Sequence, residues 1–355
     1  MRAFIHQSSP IRVVFGAGAL QSLVREIEAL GAHRALVLCT PGQAAQAQRV
    51  AAMLGERAAG VFARAVMHVP IETAREARLE AGRLGADCAV ALGGGSTTGL
   101  GKAIALESGL PILAIPTTYA GSEVTPIYGI TEGRIKRTGR DLKVLPRTVI
   151  YDPELSLNLP VALSITSALN AVAHAAEGLY AHDGSPITDL MAQEGIRAIA
   201  AALPGLRTGG PDIAVRGELL YGAWLCGTVL GQVSMGLHHK LCHTLGGTFN
   251  LPHAEVHAVI LPHALAYNAA AAPQAMARIA AALGGGTTAA QVPRALHDLA
   301  VRLGAPVALR DIGMPAEGLD RAAELAVQAT YPNPRPLERE ALRGLLQRAF
   351  DGAAP

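Results

Sequence analysis

Six short apolar runs separated by helical lengths fill the first 150 residues: RVVF (12–15), RALVLC (34–39), AAGVFA (58–63), DCAVAL (87–92), PILAI (111–115) and TVIY (148–151). Strands this short and this apolar on both faces belong in a parallel sheet covered by helices on both sides. Ala19–Leu30 and Glu72–Leu84, lying between them, carry helical patterns. The alternation is that of an α/β, Rossmann-like domain. After Asp152-Pro153 the texture changes. Alanine- and leucine-rich lengths broken by Pro160, Pro186, Pro204, Pro211, Pro252, Pro273 and Pro306 replace the β-branched runs. The expectation is an α/β domain over residues 1–155 and an all-α domain over 156–355, with a ligand cleft where they meet.

Half the residues are apolar, which supplies a large core, and 30 Lys+Arg against 28 Asp+Glu leave a formal charge of +2. No basic surface calls for nucleic acid or an acidic membrane. Leu155–Ala176 and Leu219–His239 contain no charged side chain and are long enough to span a bilayer. Asn158, Pro160, Asn170 and His174 in the first, and Gln232, Ser234 and a closing histidine pair in the second, point instead to buried core helices. The four cysteines form no CxxC pair and MRAFIHQSSPIRVVFGAG has no signal-peptide core, so a reduced, cytoplasmic protein is expected.

Three stretches of the α/β half carry chemistry. In ALGGGSTTGLGKAIAL (91–106) an apolar strand ends in three glycines, then Ser96, Thr97 and Thr98 open a helix. Such a turn brings backbone N–H groups and a helix dipole against a pyrophosphate, and Gly94, Gly95 and Ser96 are the candidates for it. A Walker loop is excluded, since Ser96 stands at its first glycine and Ala103 follows Lys102. AIPTTYAGSEVTP (114–126) places Thr117 and Thr118 at a strand's carboxyl end, where hydroxyls suit ribose and phosphate. FGAGAL (15–20) starts like a dinucleotide fingerprint but has Gln21 at the third glycine position, so a simple turn is expected there.

The helical half concentrates histidine. GLHHKLCHTLGGTFNLPHAEVH holds His238, His239, His243, His253 and His257, and Asn170 and His174 stand four apart upstream. Residues four apart share a helix face, and neutral imidazoles suit metal ligation or proton transfer.

Taken in order, FGAGAL, GGGST, PTT…GSEVT, DPEL…LP and GLHHKLCHTLGG…LPHAEVHAVILPHALAYN resemble the iron-dependent alcohol dehydrogenase family over nearly the whole chain. The resemblance implies a dinucleotide-binding α/β domain, a helical catalytic domain and a homodimer. It places the family's metal ligands at Asn170, His174, His239 and His253, where asparagine replaces the family's aspartate. Losing the anionic ligand removes charge neutralisation and a hard oxygen donor. HVPIETAREAR (68–78), TTYAGSEVTPIYGIT (117–131) and YPNPRPL (331–337) look like the branch that reduces maleylacetate, a small dicarboxylate, to 3-oxoadipate in bacterial breakdown of aromatic compounds, without a required metal.

On that resemblance His243 is the first candidate for proton donor and Tyr119 the second, with His174, His239 and His253 around the reacting end. Lys136 reaches the cofactor ribose, and Asn170, Lys240 and Arg335 meet the substrate and its carboxylates. Thr40 stands where many relatives carry an aspartate against the ribose, so NADH or NADPH is expected as cofactor. Two alternatives stay open: a metal-dependent alcohol dehydrogenase, with Glu177 or water in place of the aspartate, and a non-catalytic dinucleotide sensor.

Overall fold

The computed structural model describes residues 4–133, 135–208, 212–328 and 331–355, with the side chains of Ile135 and Lys136 outside that description. It forms two compact units, Ser9–Leu159 and Pro160–Pro355, with residues 4–8 belonging to the second. The first unit contains β1 (Arg12–Phe15), α1 (Leu23–Ala29), β2 (Ala35–Leu38), α2 (Ala44–Leu54), β3 (Ala58–Phe62), α3 (Ile71–Arg83), β4 (Cys88–Gly93), α4 (Gly95–Ser108), β5 (Ile112–Pro116), β6 (Ile127–Glu132), β7 (Ile135–Arg140) and β8 (Thr148–Tyr151). Six of the strands make one parallel sheet in the order β1-β8-β5-β4-β2-β3. Each apolar run of the sequence supplies one of them. The four central strands are buried along their whole length, which is why they read as unbroken apolar runs rather than alternations.

The chain moves from β2 outward to β3, returns through α3 to β4 on the other side of β2, and continues to β5. Its direction therefore reverses between β2 and β4. A reversal of this kind opens a crevice at the carboxyl ends of the strands, where open α/β sheets hold ligands. The loops after β2, β4 and β5 border that crevice.

β6 and β7 form a separate antiparallel hairpin, paired from Ile127 with Arg140 to Glu132 with Ile135. The sequence reading found no strand there. Gly129 and Gly139 interrupt the alternation and β7 is rich in charge, so the period-2 signal is weak. FGAGAL forms a turn, as expected. Gly18 N and Leu20 N donate to the Asp152 carboxylate at 3.2 and 3.0 Å, so a protein carboxylate already takes the N–H groups a phosphate would use.

The second unit consists of α5 (Val161–Gly178), α6 (Pro186–Ala202), α7 (Gly205–Thr208), α8 (Ile213–Gln232), α9 (Leu237–Phe249), α10 (His253–Asn268), α11 (Pro273–Leu283), α12 (Val292–Leu303), α13 (Gly318–Gln328) and α14 (Arg339–Asp351), with short 3-10 turns between some of them. It has no strand among the described residues. α8 is long and apolar enough to cross a membrane, yet it packs on α5 and α6 as a core helix. Leu241, Leu245, Val259, Ile260, Leu342 and Leu346 belong to a shared core of α9, α10 and α14. α5 and α9 each pack against α10, and that packing gathers the histidines.

Candidate active site

β4 runs into α4 through Gly94, and no side chain caps the helix. Its first N–H groups and positive dipole end are therefore offered at the carboxyl edge of the sheet. Two of the three glycines are needed by packing alone. Gly93 has φ of +149°, and a Cβ there would lie 2.5 Å from Thr97 Oγ1 and 2.8 Å from Gln43 Oε1. A Cβ on Gly94 would lie 2.8 Å from Thr118 Oγ1. Gly95 is exposed, and its Cβ would meet only Ala120 Cβ at an ordinary 3.7 Å. Packing does not account for Gly95, whereas close approach of a phosphate does. Ser96 is half-buried beside it. Thr97 and Thr98 turn inward and are buried, so the loop offers one accessible hydroxyl rather than three.

Thr40 follows β2 and Thr117 follows β5. A side chain that sequence reasoning missed joins them: Thr40 Oγ1 donates to Gln43 Oε1 at 3.1 Å, and Gln43 Nε2 donates to Thr117 Oγ1 at 3.0 Å. Behind the loop Lys102 is wholly buried. Its ammonium donates to Ser122 O (2.6 Å), Ser122 Oγ (3.2 Å), Thr125 Oγ1 (2.9 Å) and Ile127 O (2.7 Å). Burial pulls its pKa down from the ordinary lysine value to about 7, with the Glu123 charge acting the other way.

In the helical unit the histidines form a continuous row. His174 Nδ1 lies 2.8 Å from His239 Nε2. The His239 ring is 5.1 Å from that of His257, and His257 is 4.4 Å from His253. His253 stacks on His243 at 6.3 Å. His174 and His239 are buried, His253 is half-buried and His243 is exposed. At the buried end Asn170 Nδ2 stands 3.4 Å from His174 Nε2, and Asn170 Oδ1 is buried without a partner among the described residues.

Glu177 anchors this group. His239 Nδ1 donates to its Oε2 at 2.6 Å. Gly236 N, His238 N and His239 N donate to the same carboxylate at 3.2, 2.9 and 3.2 Å, and Tyr180 Oη donates to it at 3.1 Å. It thus caps the start of α9 from the end of α5, a negative charge on a positive helix end. Burial by itself would raise its pKa; the hydrogen bond from His239, with that from His238 N, more than reverses this and brings it to about 2.

The donor set at the family's metal position is three imidazoles and an amide. His239 uses Nδ1 on Glu177, and its Nε2 lone pair takes the His174 Nδ1 proton. It has no lone pair to give an ion, and the set as arranged does not fit a divalent metal. A second group, His238, Cys242 and His257, brings three donor atoms within 4.8 Å of one another. Burial pushes the Cys242 thiol up, and the Glu177 charge adds to it, so the thiolate that a metal needs is disfavoured. A cavity of about 930 Å³ lies on the Glu177 side, lined also by Tyr180, His182, Asp189, Arg278 and Asn333. Among the described residues none of the row histidines lines it.

Of the other expected residues, Tyr119 is wholly buried in the α/β unit and Lys240 is half-buried on α9. Arg335 stacks on the Tyr267 ring at 4.1 Å and donates to Tyr267 O at 3.5 Å, so its partner is Tyr267 rather than any histidine. The Lys136 side chain lies outside the described residues.

The chain matches a family model described as iron-containing alcohol dehydrogenase over residues 10–153, and one described as the C-terminal part of the Fe-containing alcohol dehydrogenase family over 164–350. It is 69% identical over 355 residues to a maleylacetate reductase of Burkholderia cepacia, covering 100% of both chains. A maleylacetate reductase of Sphingobium indicum is 55% identical over 352 residues, covering 99% of both. The solved structure of maleylacetate reductase from Agrobacterium tumefaciens is similar with a TM-score of 0.95 at 55% identity, over 100% of each chain.

Proposed function

The chain belongs to the iron-containing alcohol dehydrogenase family, and from that premise we propose its reaction: NAD(P)H-dependent reduction of the activated carbon–carbon double bond of maleylacetate to 3-oxoadipate. It is an oxidoreductase, and the observation that carries the substrate is the whole-length likeness to maleylacetate reductases. That likeness favours neither an alcohol dehydrogenase nor a sensor. The product places the enzyme late in the bacterial breakdown of aromatic compounds.

Maleylacetate is a dianion whose alkene is conjugated to a ketone. A reduced nicotinamide, when bound, would supply a hydride to the alkene carbon β to the ketone, which would leave an electron pair on the ketone oxygen as an enolate. A proton then enters at the neighbouring carbon, leaving 3-oxoadipate and NAD(P)⁺. In this assignment Gly94, Gly95, Ser96 and the start of α4 hold the pyrophosphate, with Thr117 and Thr118 beside the ribose. The half-buried His253 ring donates its N–H to the enolate oxygen. His243, at the exposed end, donates the proton, and Tyr119 is the second candidate. Lys240, adjacent to His239 in sequence, takes a substrate carboxylate. Thr40 is uncharged and satisfied by Gln43, which supports acceptance of NADPH beside NADH because no carboxylate opposes a 2′-phosphate.

The reaction is assigned without a metal. Asn170 in place of an aspartate and the committed His239 nitrogens support this. A homodimer in the cytoplasm completes the proposal; the four free, buried cysteines fit a reducing compartment. The test is oxidation of NADH and NADPH by maleylacetate in a strong chelator, with elemental analysis of the same sample. Undiminished turnover without stoichiometric metal is the expected result. One tightly bound metal per chain, with activity lost on chelation, overturns the metal-free assignment.

A further inference from the structure

Glu177 is wholly buried, and no step of the proposed reaction uses it. Five N–H and O–H groups point at its carboxylate, so it acts only as acceptor. His239 Nδ1 must then carry its proton, and a neutral ring has its lone pair at Nε2. His174 Nδ1, 2.8 Å away, must donate to that lone pair. His174 Nε2 is left as acceptor, and Asn170 Nδ2 at 3.4 Å is the donor facing it. Every proton in the series Asn170–His174–His239–Glu177 points toward Glu177.

We propose that Glu177 is the positioning residue of the site: by holding His239 in its Nδ1–H form it gives this four-residue chain one hydrogen-bond direction and fixes both rings and the amide for the substrate. The inference rests on the reaction proposed above and adds a physical role for Asn170. An aspartate at 170 has no N–H to give His174 Nε2 and would break the chain at its outer end. An asparagine completes it. Glu177 acts through His239 and does not touch the reacting atoms, in the manner of a carboxylate that orients a catalytic imidazole.

The ring nitrogens themselves supply the test. Protein labelled with ring-15N histidine, with resonances assigned by removing His174 and His239 in turn, is expected to show Nδ1 protonated and Nε2 unprotonated on both residues. Glu177→Leu removes the acceptor at His239 Nδ1 altogether. It should release the fixed tautomers, with Nε2–H forms appearing on both rings, and lower kcat by about tenfold to hundredfold, as loss of a supporting partner does, while leaving the Kd for NADH unchanged. Glu177→Asp keeps an acceptor-only group and should retain the tautomers and recover part of kcat. A wild-type His239 protonated at Nε2 overturns the proposal, and needs no variant to fold. Loss of kcat in Glu177→Leu with both tautomers unmoved also overturns it, reducing Glu177 to a helix cap. Absence of maleylacetate turnover in the wild type would strike the reaction assignment instead, and the tautomers would still decide Glu177.

Discussion

At the scale of single residues, Asn170 and Gly95 separate function from packing. Asn170 is buried with its Oδ1 unpartnered and its Nδ2 facing His174. Asn170→Asp adds an anionic oxygen of the same shape beside three histidines. It is expected to raise zinc or iron affinity by at least about tenfold, or 1.4 kcal/mol. The new carboxylate repels a dianionic substrate and withdraws the donor from His174, so kcat/KM for maleylacetate in chelator should fall by about tenfold or more. Elemental analysis and chelator-treated kinetics on both proteins measure this. Gly95 is the loop glycine whose Cβ has room. Gly95→Val should leave the melting temperature nearly unchanged and weaken NADH binding by at least about tenfold in a fluorescence titration. Equal affinity in the folded variant would remove the loop from the cofactor site. The sequence marked the glycines and Asn170, but not which glycine packing already requires, because that depends on Thr118 and Gln43 arriving from other loops.

At the scale of elements, α4 and the segment after β5 are stitched together by Lys102. Its four acceptors span Ser122 to Ile127, the stretch between Thr117-Thr118 and the β6–β7 hairpin. Lys102→Met keeps the length of the side chain but leaves the Ser122 and Ile127 carbonyls without this buried donor. The expected cost is about 3 kcal/mol, seen as a lower urea midpoint. NADH affinity should fall with it, because the threonine loop loses its tether to the cradle helix. An unchanged midpoint would show that the ammonium adds nothing net to the fold. The six sheet strands were legible because continuous apolar runs report two-sided burial. The hairpin was not, because a small two-stranded ribbon with glycine and charge leaves little periodic signal.

At the scale of the whole molecule, buried histidine sets the acid limit. Burial pulls His238 down to about 3. Burial, with Arg348 and His297, pulls His263 down to about 4, and burial followed by other histidines holds His257 well below its ordinary value. Each is neutral when folded and takes up a proton near pH 6.5 when unfolded. Their stabilising share is therefore fully present above pH 6.5 and is lost as pH falls toward the folded values. Each contributes a slope approaching about 1.4 kcal/mol per pH unit. Glu177, at about 2 when folded, adds a loss that begins only below about pH 4.5. Thermal unfolding followed from pH 8 to 5 should show a plateau, then a steep decline below pH 6.5. Among the described residues His263 has no partner on either ring nitrogen. His263→Leu should flatten that decline by about one proton; an unaltered slope would mean that His263 is already charged in the fold.

Local pattern alone determined the two-part architecture, the six parallel strands, the glycine turn at the end of β4 and the density of histidine in the helical half. All of these are written in periods of two to four residues or in the composition of a short run. Tertiary structure alone decided which side chains complete the site. Asp152 closes FGAGAL from 134 residues away, Gln43 bridges to Thr117 across 74, and Glu177 orients His239 across 62. No periodicity links positions so far apart. Their partnership exists only once α5 and α9 have packed on α10 and the strands have taken their order, because a buried hydrogen bond is chosen by the packing that excludes water around it.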